Sequence, residues 1–264
     1  MILAVNIGNT YINHAVFGDD DRILLKFSIS SFPAKSSDEY RLLINSFLAE
    51  HENKFACKLA LEYAVISSVV PALTPAVSEA LYNIVGKRPF IISSGTHTGF
   101  RIKIDNCSEL GSDIVADVAA SKLIADPPFV IVNTGTATTL TVVDKSGDVI
   151  GSIIHPGLFV SASALSNSAA KLYDVSITRP GKLIGQNSDE SIKSGLIFGH
   201  SCMIDGLVSK IKSEICGVSD SLHVLFTGDY SSILAPYCSC SEYVDCDLTL
   251  KGALILFRLN VKGI

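Results

Sequence analysis

The chain has 264 residues, 48% of them hydrophobic and 18% charged, with a formal net charge of −5. That length and hydrophobic content suit one or two globular domains and exclude a disordered chain. The acidic balance gives no general attraction to nucleic acid, and the longest apolar runs fall short of the roughly 20 residues of a membrane span.

The first elements read as a strand meander over residues 2–7, 12–17 and 23–29. Residues 38–50 carry Tyr40, Leu43, Ile44, Phe47 and Leu48 at helical spacing, with Ser37-Asp38 as a cap. Tyr63 to Ile66 is a buried strand that ends in Ser67-Ser68, and Pro71 and Pro75 bracket the start of a helix over 75–85. Phe90 to Ile92 is a short strand, and Leu110-Gly111-Ser112-Asp113 opens a helix over 113–125. The meander then returns at 129–155. Helices are expected over 160–172 and 188–215, the second with Gly195 as a break or packing point. Leu222 to Phe226 is a strand ending in Thr227-Gly228-Asp229; a helix starts over 230–237, and 248–260 is an apolar helix. This order describes an α/β duplication with its boundary in 110–130, divided here as 1–112 and 113–264.

The duplication is visible residue by residue. Asn6-Ile7-Gly8-Asn9-Thr10 ends one apolar strand and Asn133-Thr134-Gly135-Thr136-Ala137-Thr138-Thr139 ends another. Aligned without a gap, Asn6 falls on Asn133, Gly8 on Gly135, Val16 on Val143 and Ile23 on Ile150. A small polar turn after a strand is a cradle for phosphate, although the same residues suit a plain hairpin. Phosphate chemistry usually adds an acid there to hold a metal ion, and both positions are Asn.

Seven cysteines, odd in number and scattered, fit a reducing compartment, and no leader peptide is read at Met1, so a cytoplasmic protein is expected. Cys238, Cys240 and Cys246 match no common zinc spacing. Asp19-Asp20-Asp21 reads as a solvated hairpin tip, and His155 beside Pro156-Gly157 as a structural or cleft-lining residue.

The order of these motifs resembles that of the type III pantothenate kinases, a family in the superfamily of acetate and sugar kinases, actin and heat-shock chaperones. Asn6 to Thr10 resembles its motif Asp-x-Gly-Asn-Thr, and Ser67 to Pro71 its Ser-Ser-Val-Val-Pro segment. Gly111-Ser112-Asp113-Ile114 stands where the family has Gly-x-Asp-Arg, and Asn133 to Thr139 where it has Asp-Phe-Gly-Thr-Ala-Thr-Thr. Gly151 to Gly157, Gly185 to Ser188, Thr227-Gly228 and Leu248 to Gly252 complete the order over nearly the whole chain.

The resemblance implies two ribonuclease H-like, actin-like ATPase domains with a nucleotide cleft between them. It implies ATP-dependent phosphorylation of pantothenate to 4'-phosphopantothenate, the first step of coenzyme A synthesis. A homodimer, Mg²⁺ and a monovalent cation (K⁺ or NH₄⁺) come with it, and neither nucleic acid nor membrane is an expected partner. Asp113 is the implied catalytic base; on sequence physics alone it is also an ordinary helix-start acid. Asn6, Gly8, Asn9, Thr10, Gly135, Thr136, Thr138, Thr227 and Gly228 are the implied nucleotide contacts. Gly111, Ser112, Ile114 and Ser188 are the implied substrate contacts, and Asn133 the metal position.

Three positions depart from the family. Asn6 lacks the charge of the expected Asp and is a poor Mg²⁺ ligand. Ile114 replaces Arg and can neither donate a hydrogen bond nor carry charge, which leaves Lys103, Arg101 or a partner chain to substitute. Asn133 keeps only a neutral oxygen. A catalytically impaired, nucleotide-binding accessory homologue is therefore the alternative expectation.

Overall fold

In the computed structural model, residues 1–168, 175–217 and 221–261 are described. They form two compact units. The first joins residues 1–99, 106–120 and the C-terminal segment from 249; the second joins 100–105 and 121–248. The contiguous halves 1–112 and 113–264 differ from this partition: residues 100–105 fall in the second unit, and 113–120 and the segment from 249 fall in the first.

The first unit contains β1 (Ile2–Ile7), β2 (Tyr11–Phe17), β3 (Ile23–Ser30), α1 (Ser37–Phe55), β4 (Tyr63–Ser68), α2 (Thr74–Val85), β5 (Phe90–Ile91) and α3 (Ser112–Ser121, its last residue in the other unit). The second contains β6 (Phe129–Thr134), β7 (Ala137–Val143), β8 (Val149–Pro156), α4 (Leu158–Ser168), α5 (Ser188–Ile215), β9 (His223–Thr227), α6 (Ser231–Leu234) and β10 (Tyr243–Val244). Helix α7 (Leu248–Asn260) then returns to the first unit. Helix α5 runs unbroken through Gly195, and the expected helix 230–237 is a short α-turn followed by a 3-10 turn. Residues 169–172 of the expected helix 160–172 lie outside the described residues. No helix among the described residues is long and apolar enough to cross a membrane.

The two sheets have one topology. The first runs β3-β2-β1-β4-β5 and the second β8-β7-β6-β9-β10, each with two antiparallel pairings followed by two parallel ones. In the first unit Leu3, Val5 and Ile7 face a core with Tyr40, Ile44, Val77 and Leu81 from α1 and α2. A capping box at Ser36 and Glu39 starts α1, each group satisfying the other's backbone N–H. In the second unit Val130, Val132, Leu140 and Phe226 face Leu158, Ile192, Ile197 and Ile204 of α4 and α5.

The gapless alignment of the two halves holds only as far as the first turn. Gly8 N donates to Tyr11 O at 3.0 Å, whereas Gly135 N donates to Ala137 O at 3.0 Å, so the second turn is one residue shorter. Beyond it, the bulge at Val16/Phe17 matches the bulge at Val142/Val143. The five-residue tips also match: Gly18 N bonds Arg22 O, and Asp144 N bonds Asp148 O. Asp21 (φ 61°) and Gly147 (φ 77°) take the same left-handed position. Val16 therefore corresponds to Val142 and Ile23 to Val149. The gapless match paired apolar strand residues that are interchangeable in type, and turn length leaves no trace in such a comparison.

Candidate active site

In the first unit, β1 and β4 run parallel, with Asn6 beside Ser67 and Ile7 beside Ser68. Helix α3 starts directly on these strand ends. Ser112 Oγ lies 3.0 Å from Ser67 Oγ, accepts from Ser68 N at 2.8 Å and donates to Ser68 O at 3.0 Å. One hydroxyl thus fastens the helix start to the sheet. Asp113 follows it, and its Oδ1 accepts from Ile114 N at 2.8 Å. A Cβ at position 111 would fall 3.3 Å from Val69 Cγ1 and directly on the Asp113 carboxylate, so Gly111 makes room for that group. Burial pushes the Asp113 carboxyl above its ordinary pKa, against the backbone N–H groups that favour its charged form.

Below Asp113, α3 is held by α7. Thr249 Oγ1 donates to Asp117 Oδ1 at 2.6 Å, both residues buried. Gly252 lies against the backbone of Ala116, where any Cβ would overlap the carbonyl. Sequence reasoning missed both contacts; the Leu248-to-Gly252 motif was the available signal, without its partner.

The first turn is locked from two sides. Gly8 N is bonded within the turn, Ser31 Oγ donates to Gly8 O at 2.6 Å, and Ser31 N donates to Thr10 O at 3.0 Å. Asn9 is exposed at its tip, and Thr10 is partly exposed.

In the second unit, β6 and β9 bring Asn133, Gly135, Thr227 and Gly228 to one sheet end. Gly228 (φ 90°) allows the backbone to close on Asn133: a Cβ there would sit 2.5 Å from Asn133 Oδ1 and 2.7 Å from Thr134 N. Thr134 Oγ1 donates to Thr227 O at 3.0 Å, and Thr227 Oγ1 is buried with no partner. Thr136 is partly exposed. Thr138 is not: its hydroxyl is buried, 2.8 Å from His200 Nε2 on α5. Burial, with the nearby His155, lowers the His200 pKa to about 4, so the ring is neutral. Thr138 therefore braces the turn from beneath, a role that sequence spacing did not reveal. His155 has its Nδ1 2.8 Å from Pro156 O and its ring edge-on to His200.

Ser188 is exposed at the start of α5, capped by Asn187, whose Oδ1 accepts from Glu190 N at 2.9 Å. It borders a groove of about 720 Å³ lined by Leu165, Gly185, Asn187, Ile192 and Leu196.

Comparison with known proteins decides the family. The profile of type III pantothenate kinase matches residues 2–210. The chain belongs to the type III pantothenate kinase family. A type III pantothenate kinase of Agathobacter rectalis is 34% identical over 265 residues, all of both chains. That of Exiguobacterium sibiricum is 34% identical over 98% of this chain and all of its own. The fold recurs in ethanolamine utilization protein EutJ from Carboxydothermus hydrogenoformans (TM-score 0.57, 14% identity, covering 96% and 89% of the two chains). It also recurs in the activator of 2-hydroxyisocaproyl-CoA dehydratase from Clostridium difficile, solved with bound ADPNP (TM-score 0.54, 12% identity, 100% and 98%). These likenesses bear out the actin-like, duplicated α/β fold.

The type III pantothenate kinase pattern has an Arg at position 114, and Lys103, one candidate to replace it, is engaged in local ion pairs. Its Nζ is paired with Asp148 at 2.8 Å and Asp144 at 3.1 Å in the second unit. Those hydrogen bonds, to Asp148 first, raise its pKa. Ile114 is part-buried and supplies only apolar surface.

Proposed function

We propose that the chain is an ATP-dependent pantothenate kinase that forms 4'-phosphopantothenate for coenzyme A synthesis. The observation that carries this reading is Asp113, a carboxyl with a raised pKa held at the start of α3 by Gly111 and Ser112. A carboxylate so tuned accepts a proton from an alcohol better than an ordinary one. Asp113 takes the proton of the pantothenate hydroxyl as its oxygen bonds to the γ-phosphorus, and the bond to the departing ADP oxygen breaks. Positioning and charge neutralisation dominate such a transfer. The turns at Gly8 to Thr10 and at Gly135-Thr136 are the phosphate contacts, Thr227 and Gly228 the nucleotide side, and Gly111, Ser112, Ile114 and Ser188 the substrate side.

Asn6 lies in a row with Asn13, Ser28 and Ser67, register neighbours across four strands. That row offers no carboxylate, which does not fit a dedicated Mg²⁺ site. Asn133 with the unpartnered hydroxyl of Thr227 offers neutral oxygens, which fit K⁺ or NH₄⁺. Such an ion would supply positive charge beside the second turn.

A homodimer goes with this reading, supported by exposed Phe159, Val160 and Leu165 on α4 and exposed Leu183 and Ile184 ahead of α5. A cytoplasmic site of action fits the reduced cysteines.

The test is phosphopantothenate formation by purified chain given ATP, Mg²⁺, K⁺ and pantothenate. Turnover that disappears without pantothenate supports the reading. ATP binding with no product would replace it by the accessory role that Asn6 and Ile114 favour.

A further inference from the structure

The carboxamide oxygen of Asn6 is buried and has no hydrogen-bond partner, yet the residue is partly exposed at the end of β1. Its exposed polar end is therefore the NH₂. An amide NH₂ carries two donors, whereas the carboxylate expected at this position only accepts. The neighbours in the row add no negative charge: Asn13 Oδ1 is taken by Ser28 Oγ at 2.6 Å, and Ser67 Oγ by Ser112. Asn6 stands two residues ahead of a turn already fixed by Ser31, at Gly8 O and Thr10 O, so little ordering of that turn is needed for an anion to settle there.

We propose that Asn6 and the Gly8–Thr10 turn form a direct anion site, in which the Asn6 NH₂ donates to a phosphate oxygen of a nucleoside polyphosphate. This strand end then binds metal-free nucleotide. The inference rests on the reading of the chain as an ATP-using kinase. An Asp at position 6 would reverse the preference, since its charge repels a bare phosphate and attracts a cation.

The test is calorimetry of ATP binding to the full chain in excess EDTA and in Mg²⁺, for wild type, Asn6→Asp and Asn6→Leu. Melting temperatures with and without Mg²⁺, and the phosphopantothenate assay, accompany it. In wild type the two affinities should agree within about threefold, while Asn6→Asp should lose about tenfold or more in EDTA and recover it in Mg²⁺. Asn6→Leu should weaken binding in both buffers, and it carries the test should Asn6→Asp fail to fold. Mg²⁺ without nucleotide should raise the melting temperature of Asn6→Asp only. Wild type that loses about tenfold in EDTA, or Asn6→Asp that binds metal-free ATP as well as wild type, overturns the anion site. Turnover combined with strictly Mg²⁺-dependent ATP binding would sink the anion site and leave the kinase reading standing. Metal-free ATP binding without phosphopantothenate would do the reverse.

Discussion

Thr249 donates to the buried Asp117 carboxylate at 2.6 Å, which ties the C-terminal helix to the helix that carries Asp113 one turn earlier. Removing one partner of a buried hydrogen bond costs the desolvation of the polar group left behind. Thr249→Val keeps the shape and removes the donor, so it should destabilise the fold by about 1–3 kcal/mol. Urea unfolding measures this. A midpoint equal to that of wild type would show that the bond does not hold α3.

Gly157 occupies the place that Ser31 has in the first unit, since each backbone N–H meets its turn at 3.0 Å, at Thr136 O and Thr10 O. The shorter second turn leaves no room for a side chain there. A Cβ would fall 2.3 Å from Gly135 O and 2.4 Å from Thr136 O, both backbone atoms that cannot step aside. Gly157→Ala should therefore cost about 1–3 kcal/mol of stability and weaken ATP binding together. Ser31→Ala should lose only the hydrogen bond to Gly8 O, about 1 kcal/mol. Equal effects of the two changes on stability and ATP affinity would contradict the difference in turn length.

The strands, the long helices and the order of motifs were legible because hydrophobic period and glycine-bearing turns are local signals. The 28-residue α5 and the 13-residue α7 have the expected bounds. The return of α7 to the first unit was not legible, since it depends on Gly252 meeting Ala116 and Thr249 meeting Asp117 across long sequence separation. Nor was the burial of Thr138: alternation along β7 places one threonine beneath the turn and the next above it, and only the pairing register says which. The single-residue difference between the turns escaped for the same reason. Asn6 and Ile114 were legible as departures, but the unpartnered Asn6 oxygen needed coordinates.

His14 gives the fold a pH dependence of known sign. It is stacked on Phe27 at 4.5 Å in the first core, with both ring nitrogens unpartnered and near the backbone of Ile12 and Phe27 without a well-formed bond. Burial lowers its pKa from 6.5 to about 3. The unfolded chain gains a proton on this residue below pH 6.5 and the folded chain does not. Its contribution is thus fully present above pH 6.5 and is lost as the pH falls towards about 3, on the order of 4 kcal/mol in all. The equivalent position in the second unit is Leu140, so His14→Leu should be tolerated at neutral pH and flatten the decline in acid. Denaturant unfolding of both proteins between pH 7 and pH 4 reads the difference, and parallel declines would exclude His14 as the cause.

Asp113→Asn preserves shape and the bond to Ile114 N while removing the base. It should lower kcat by about 100- to 10,000-fold, with ATP affinity and melting temperature close to wild type. A merely structural acid at a helix start would give the opposite pattern, a small loss of stability and little loss of rate. The pH profile separates the two roles further. The base works only when deprotonated, and burial holds its pKa above the ordinary carboxylate value. The wild-type kcat/KM should therefore fall on the acid side at a higher pH than an exposed Asp would give, with one proton controlling the limb. In Asp113→Asn the residual rate should lose that limb. A residual rate that keeps it would assign the titration, and the base, to another group.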